Sequence, residues 1–323
     1  SRRSLPTRGG SRQEPPGARM QQASKQKRPC ARSEDACNPF KHPRGTLEQR
    51  HPHPKDGVAT LDEVLHLYTY HSPDGPVPVP ISCSTLLKPY FDDFDGKATA
   101  RKYLSRWLED PGHQNHKLAK YMEVKLKLDR EQMIEEFAAF WAALGADASE
   151  KGTEMHKRIE LYLNGLYAPT EEELQGGAPH DLACFMKLWQ THYPNLKLRP
   201  YRTELSMVYL DPDSGAPAVA GQADGLFIDK HGDFHLFDWK RCDPSKGKIG
   251  DQPLDEGPRF HNSKPKMATG PFASYERNKY VQYSAQLHLY AQILRQQYGI
   301  DCKSCHIVQI HPKLPHAHVI EAL

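Results

Sequence analysis

Two acidic residues and a lysine lie close together in the second half of the sequence, in two stretches that read as strands. Asp224 lies in the first stretch, and Asp238 and Lys240 lie two positions apart in the second. Because side chains alternate across a strand, Asp238 and Lys240 are expected on one face and Trp239 on the other. The turn-forming residues 229–233 join the two stretches, which predicts an antiparallel pair with Asp224 next to Asp238.

This pairing would be unfavourable without a cation. Two carboxylates held a few ångströms apart repel each other, and carboxylate oxygens are ligands that Mg²⁺ and Mn²⁺ prefer. A lysine beside that cation is useful where negative charge develops, as on a phosphate under attack. The alternative for Asp238 and Lys240 alone is an ordinary ion pair on the surface of a strand.

A histidine and a third acid could join this group. His156 lies four residues after Gly152 in a segment with helical periodicity, so the two share a helix face, and the glycine would let backbone or substrate approach the imidazole. Glu204 lies in the strand-like segment before Asp224. An exposed helix histidine and a solvated strand glutamate are the ordinary alternatives for these two residues.

A row of polar side chains lies in a later segment with helical periodicity. Gln282, Gln286 and Tyr290 follow one another at intervals of four residues, which places them on one helix face. A polar helix edge in contact with water would show the same spacing.

The order and spacing of these motifs over approximately residues 147–311 resemble the PD-(D/E)xK nuclease superfamily, and specifically its RecB/Cas4/lambda-exonuclease-like clade. Asp224 corresponds to the first motif acid, and Asp238-Trp239-Lys240 corresponds to the D/E-x-K motif. The literal Pro-Asp pair is absent, since Asp224 follows Ala223. The resemblance implies a Mg²⁺-dependent (or Mn²⁺-dependent) deoxyribonuclease, an exonuclease of DNA repair, recombination or genome maintenance.

The resemblance also implies roles for individual residues. The catalytic residues would be Asp224, Asp238 and Lys240, and the metal would be bound by His156, Asp224, Asp238 and the backbone carbonyl of Trp239. Glu204 would be an outer ligand. The residues expected to contact DNA are Gln282, Gln286, Tyr290 and, in a loop over residues 243–278, Lys246 and Lys248.

The periodicity predicts the elements that carry these residues. A helix over residues 130–144 should end at Gly145, and a new helix should begin at Asp147 with Glu150 completing a capping box. The later segments predict three strands, a helix and a last strand, over residues 196–210, 219–228, 234–242, 280–298 and 303–311. This order predicts an α+β fold (α/β sandwich-like), with a central mixed sheet of about four to five strands and an αβββαβ core flanked by helices.

Composition and periodicity divide the chain into three regions. Residues 1–56 are predicted to be a disordered basic tail, since the first 32 residues hold nine lysines and arginines against the single acid Glu14. Residues 57–146 are predicted to form an N-terminal hairpin and helical extension, and residues 147–323 the nuclease core. The tail could be a nucleic-acid-binding arm, a nuclear or organellar targeting sequence, or a solvated tail without either role.

The cysteines and the hydropathy exclude other classes of protein. No run approaches eighteen apolar residues, so no membrane partner is expected. Seven irregularly spaced cysteines favour an intracellular, reducing compartment. Cys302, Cys305 and Cys83 give three ligands at best, so an iron–sulfur cluster is not predicted. A catalytically inactive nucleic-acid-binding relative of the same fold is the main alternative function, and a protein-interaction module with a chance Asp-x-Lys is the other.

Overall fold

The structure is a computed structural model that describes residues 38–91, 94–170, 180–242, 266–314 and 316–323. Its helices are α1 (Leu47–Arg50), α2 (Cys83–Leu87), α3 (Gly96–Glu109), α4 (His116–Lys120), α5 (Arg130–Leu163), α6 (His180–Leu196) and α7 (Lys279–Tyr298). Its strands are β1 (Ala59–Asp62), β2 (Leu67–Ser72), β3 (Gly75–Pro78), β4 (Arg199–Leu210), β5 (Pro217–Ile228), β6 (Phe234–Arg241), β7 (Cys302–Ile310) and β8 (His318–Glu321). Each helix in the described part of the chain is too short or too polar to span a bilayer.

Five strands form the central sheet in the order β4-β5-β6-β7-β8. The first three are antiparallel neighbours joined by short turns, β6 and β7 are parallel, and β8 returns antiparallel to β7. The parallel pair needs a crossover, and α7 lies in that connection. The predicted α+β class, with a mixed central sheet of four to five strands, is confirmed.

Apolar side chains cover both faces of this sheet. Phe227, Phe237 and Trp239 belong to a core shared with the second half of α5 and with α6. Leu236 and Ile307 point the other way, into a core shared with α7. Because the central strands are covered on both faces, their sequences are largely apolar around Asp224 and Asp238.

Helix α5 is continuous, which corrects the prediction of two helices. Its 34 residues run through Gly145, and Asp129 caps its start by accepting a hydrogen bond from the Gln132 backbone. Asp147 does not cap a new helix, because its carboxylate lies 2.7 Å from Nζ of Lys151 on the helix surface. The predicted boundary between residues 146 and 147 therefore falls inside one helix, which joins the helical extension to the sheet.

The hairpin β2–β3 lies within residues 57–146, the region predicted to contain one, and Pro78 ends its edge strand β3. Structure begins earlier than expected, however. Leu47 is 1% exposed in the core of the sheet, and the Asp56 carboxylate lies 2.7 Å from the Arg202 guanidinium. The prediction of a disordered tail over residues 1–56 is therefore wrong from residue 38 onward. Residues 1–37 lie outside the described residues.

The contact between Gly225 and Trp239 gives the first prediction. A Cβ at Gly225 would lie 2.7 Å from the Trp239 indole and 2.8 Å from the Phe227 ring, and both rings are buried. We expect Gly225→Ala to lower the free energy of unfolding by about 1–3 kcal/mol, because a packed core resists added volume. Urea unfolding followed by circular dichroism measures this change.

Gly152→Ala is the matched control. Apart from its chain neighbours and the adjacent backbone of its own helix, no described atom lies within 4 Å of a Cβ at this position. Alanine should therefore be neutral or raise the free energy of unfolding by up to about 1 kcal/mol. Equal effects of the two substitutions would contradict the packing described for Gly225.

Candidate metal and catalytic site

Three potential metal ligands meet at one place, from three separate elements. His156 lies on α5, Glu204 on β4 and Asp224 on β5. Nδ1 of His156 lies 3.6 Å from Oδ2 of Asp224 and 3.8 Å from Oε1 of Glu204, and one ligand atom from each residue lies within 4.8 Å of the others. One imidazole nitrogen and two carboxylate oxygens at this spacing can share one cation.

The strands open at the site. The paired residues of β5 and β6 extend only as far as Gly225 opposite Phe237, one residue short of Asp224 and Asp238. Beyond that pair, the backbone N–H of Trp239 donates to Oδ2 of Asp224 at 2.7 Å. The Asp224 side chain thus accepts a hydrogen bond that a backbone carbonyl would accept in a continuous strand pair. This hydrogen bond holds the Asp224 carboxylate in the gap between the two strands.

Backbone contacts also orient His156. Its Nε2 lies 2.9 Å from the Trp239 carbonyl, and because a carbonyl can only accept, Nε2 carries the proton. In the neutral imidazole the lone pair is then on Nδ1, the nitrogen that faces the two carboxylates. A hydrogen bond to backbone that sets the tautomer is the arrangement expected of a metal-binding histidine.

Glu204 has an unusual backbone for a strand residue. Its neighbours pair as Thr203 with Gly225 and Leu205 with Ala223, so Glu204 lies across from Asp224. Its φ is +47°, in the left-handed region that non-glycine residues rarely adopt. Among the described residues, its buried Oε1 has no hydrogen-bond partner. Strained backbone and an unsatisfied buried oxygen together are typical of functional sites.

Asp238 and Lys240 form a buried ion pair beside these three residues. Nζ of Lys240 lies 2.9 Å from Oδ1 and 2.7 Å from Oδ2 of Asp238, a carboxylate that is almost fully buried. The same ammonium lies 4.9 Å from the centroid of the Tyr283 ring on α7. The pair is therefore held on one side by its own strand and on the other by the helix that covers the sheet.

The charges of the site shift one another's protonation. Burial alone would lower the pKa of His156, but the Asp224 and Glu204 carboxylates outweigh it and raise the pKa to about 9. Burial raises the pKa of Asp238 to about 6 and also raises that of Asp224. Burial disfavours charge on Lys240, but Asp238 and Asp224 together raise its pKa above the ordinary value.

The three-ligand group contains two of the four expected metal ligands and one residue that was not among them. His156 and Asp224 occupy it as expected, and Glu204, expected only as an outer ligand, provides the third donor atom. The Asp238 carboxylate is turned to Lys240, and the Trp239 carbonyl is bonded to His156. Strand register is the signal that identifies Glu204, since it pairs this position with Asp224.

The polar row on α7 is only partly open to a ligand. Nε2 of Gln286 donates to the Tyr290 hydroxyl at 2.5 Å. Tyr290 is 5% exposed and packs over Gly221 in the core, so its ring supports the sheet, whereas Gln282 and Gln286 are half-buried. Lys246 and Lys248 lie outside the described residues.

Two cysteines with metal-ligand spacing, Cys302 and Cys305, lie in β7. An irregularity in the pairing with β6 follows Cys302, and both side chains pack against the core shared with α7. Cys83 lies on α2 at another part of this core, with its sulfur against the position of Gly221. The five described cysteines are free thiols.

Comparisons with known proteins identify no family for this chain. No family model matches it, and no curated protein matches it. A solved structure described as "Crystal structure of SSO0001" is similar at 14% sequence identity and a TM-score of 0.24, over 70% of this chain and 76% of that chain. A similarity this weak supports no conclusion about fold or function.

Metal binding by the three ligands can be measured as thermal stabilisation. We expect Mn²⁺ to raise the melting temperature by several degrees at concentrations well above the dissociation constant, because a ligand of the folded state stabilises it. Glu204→Gln and Asp224→Asn should each remove most of this rise. Glu154→Gln, a surface acid of α5 paired with Arg158, should leave it unchanged. An unaltered rise in the two site variants would contradict the assigned ligands.

The raised pKa of His156 predicts a pH dependence without metal. A histidine whose pKa rises from 6.5 to about 9 on folding stabilises the protein fully below about pH 6.5 and loses this effect as the pH rises through 9. In EDTA, the difference in free energy of unfolding between the wild type and His156→Gln should therefore shrink between pH 6.5 and 9. Urea titrations at each pH test this, and a constant difference would show that His156 is not held protonated by its neighbours.

Proposed function

We propose that this protein is a divalent-metal-dependent nuclease that hydrolyses phosphodiester bonds in DNA, and that it acts as an exonuclease. The observation that carries the proposal is the convergence of His156, Glu204 and Asp224 within 4.8 Å, next to the buried pair of Asp238 and Lys240. Folding alone gives no reason to collect three acids, an imidazole and an ammonium at the opening between two strands.

The donor set fits a divalent cation. The Glu204 and Asp224 carboxylates repel each other across the strand pair, and Oε1 of Glu204 is buried without a hydrogen-bond partner among the described residues. A cation bound to both would relieve the repulsion and satisfy that oxygen. Carboxylates suit Mg²⁺ and Mn²⁺, and because an imidazole nitrogen favours the transition metal, we expect Mn²⁺ to bind more tightly than Mg²⁺.

The chain's own residues supply the remaining chemistry. His156, Glu204 and Asp224 would hold the divalent cation, which would supply polarisation of the phosphodiester and a lowered pKa of a coordinated water. Lys240 keeps its positive charge in the buried site, since its pKa is raised, and can orient the attacking water and offset the negative charge that develops on the phosphate. Asp238 holds the ammonium in place through both oxygens. The resemblance of the sequence motifs implies 5′-phosphate and 3′-hydroxyl products.

Replacement of Lys240 tests catalysis separately from metal binding. Lys240→Ala should slow the release of nucleotides from end-labelled DNA in Mn²⁺ by at least about 100-fold, a loss typical of one removed electrostatic contact in an active site. The Mn²⁺-dependent rise in melting temperature should persist in this variant. Lys303→Ala, in which a surface lysine paired with Asp233 is removed, should cleave at the wild-type rate.

Two outcomes would overturn the proposal. Wild-type protein that binds Mn²⁺ but cleaves neither single-stranded nor double-stranded labelled DNA would favour the catalytically inactive nucleic-acid-binding relative. Cleavage that survives in EDTA or in Lys240→Ala at the wild-type rate would place the activity elsewhere.

A further inference from the structure

A groove with basic walls lies between α3 and the start of α7. Its volume is about 640 Å³. Four basic side chains line it: Lys102, Lys266, Arg277 and Lys279. Among the described lining residues Asp95 is the acidic one, and its carboxylate already accepts a hydrogen bond from the backbone of Ala98 as the cap of α3. The groove therefore presents a strong excess of positive charge, which suits an anionic ligand.

Two aromatic rings are exposed in the same groove. Phe94 is 66% exposed, with its ring against the edge of Trp141 at a centroid distance of 5.2 Å. Tyr103 is 38% exposed, and Nζ of Lys102 lies 5.1 Å from the centroid of its ring. Exposed aromatic faces beside lysines are the combination on which unpaired bases stack while their phosphates are neutralised.

Helix α7 runs from the groove to the candidate catalytic site. Gln282 lines the groove, and the next residue, Tyr283, places its ring 4.9 Å from Nζ of Lys240. Gln286 lies one turn further on the same helix face, an axial rise of about 6 Å. A chain held in the groove could therefore pass along this face to the group formed by His156 and its neighbours.

We propose that this groove binds single-stranded nucleic acid, with bases stacked on Phe94 and Tyr103 and phosphates contacted by Lys102 and Lys279, and that it leads the strand to the metal site. The passage of the strand to the metal site rests on the proposed nuclease function, whereas the binding of single-stranded nucleic acid in the groove does not. In a duplex the bases stack on one another and offer no free face to an aromatic ring. The volume is in the range of pockets for small ligands, which fits a few unpaired nucleotides and not a double helix.

Binding is tested without catalysis. Fluorescence anisotropy of the full 323-residue chain in EDTA compares a labelled oligothymidylate of about 15 nucleotides with a duplex of the same length. We expect tighter binding of the single strand. Phe94→Ala should weaken that binding at least about fivefold through the loss of one stacked base. Lys102→Ala should reduce the slope of log affinity against log salt concentration by about 0.7, the share of one phosphate contact.

Two exposed residues that do not line the groove serve as matched controls. Tyr121, which is 52% exposed, and Lys125 are replaced by alanine, and both variants should bind as the wild type does. The basic residues 1–37 are present in every variant, so their contribution cancels in each comparison. Circular dichroism melts verify that the variants are folded.

The outcomes distinguish this proposal from the proposed function. Equal affinities of Phe94→Ala and Tyr121→Ala for the single strand, no binding of the single strand by the wild type, or tighter binding of the duplex would each overturn the groove assignment. Cleavage of labelled DNA in Mn²⁺ is measured separately on the same proteins. If the groove variants lose binding and the wild type cleaves no DNA, the result would support nucleic-acid binding in the groove and overturn the proposed nuclease function.

Discussion

Repulsion between two carboxylates is the constraint on which the site depends. Glu204 and Asp224 lie across from each other on neighbouring strands, where like charges destabilise a sheet. Instead of separating them, the chain keeps Glu204 at a φ of +47° and leaves one of its oxygens buried and unsatisfied among the described residues. Burial keeps the pKa of Asp224 raised, although the positive charges of His156 and Lys240 lower it. A bound cation is the addition that would relieve all of these costs at once.

The fold supplies the rigid supports that this constraint requires. The β5–β6 pairing stops beside Gly225, and the freed backbone of Trp239 bonds Asp224 through its N–H and His156 through its carbonyl. The Trp239 side chain is buried against α6 and the close approach of Gly225, so this backbone cannot shift without disturbing the core. The backbone of one residue thus holds two ligands, while its neighbour Lys240 lies against Tyr283 of α7.

Local patterns in the sequence predict most of this arrangement, and non-local contacts account for the rest. Alternation along β5 and β6 predicts that Asp224 meets Asp238 and Lys240, and helical spacing brings His156 to a helix face. The position of Glu204 depends on the register between β4 and β5, which no local pattern specifies. Gly145 and Asp147 suggest a break in α5, but packing of both halves of the helix outweighs these weak local preferences. Leu47 is buried by contacts with residues more than a hundred positions away. Because the segment around it is polar, its local sequence does not predict this burial.

The central claim is that one cation-sized site lies between His156, Glu204 and Asp224. Anomalous diffraction from crystals of the protein grown with Mn²⁺ tests it most directly, because the metal scatters at its own absorption edge. We predict an anomalous peak within bonding distance of Nδ1 of His156 and of an oxygen from each of the two carboxylates, with Lys240 beside it. Ordered crystals in saturating Mn²⁺ with no peak at this position, or with a peak bound only by other residues, would contradict the claim.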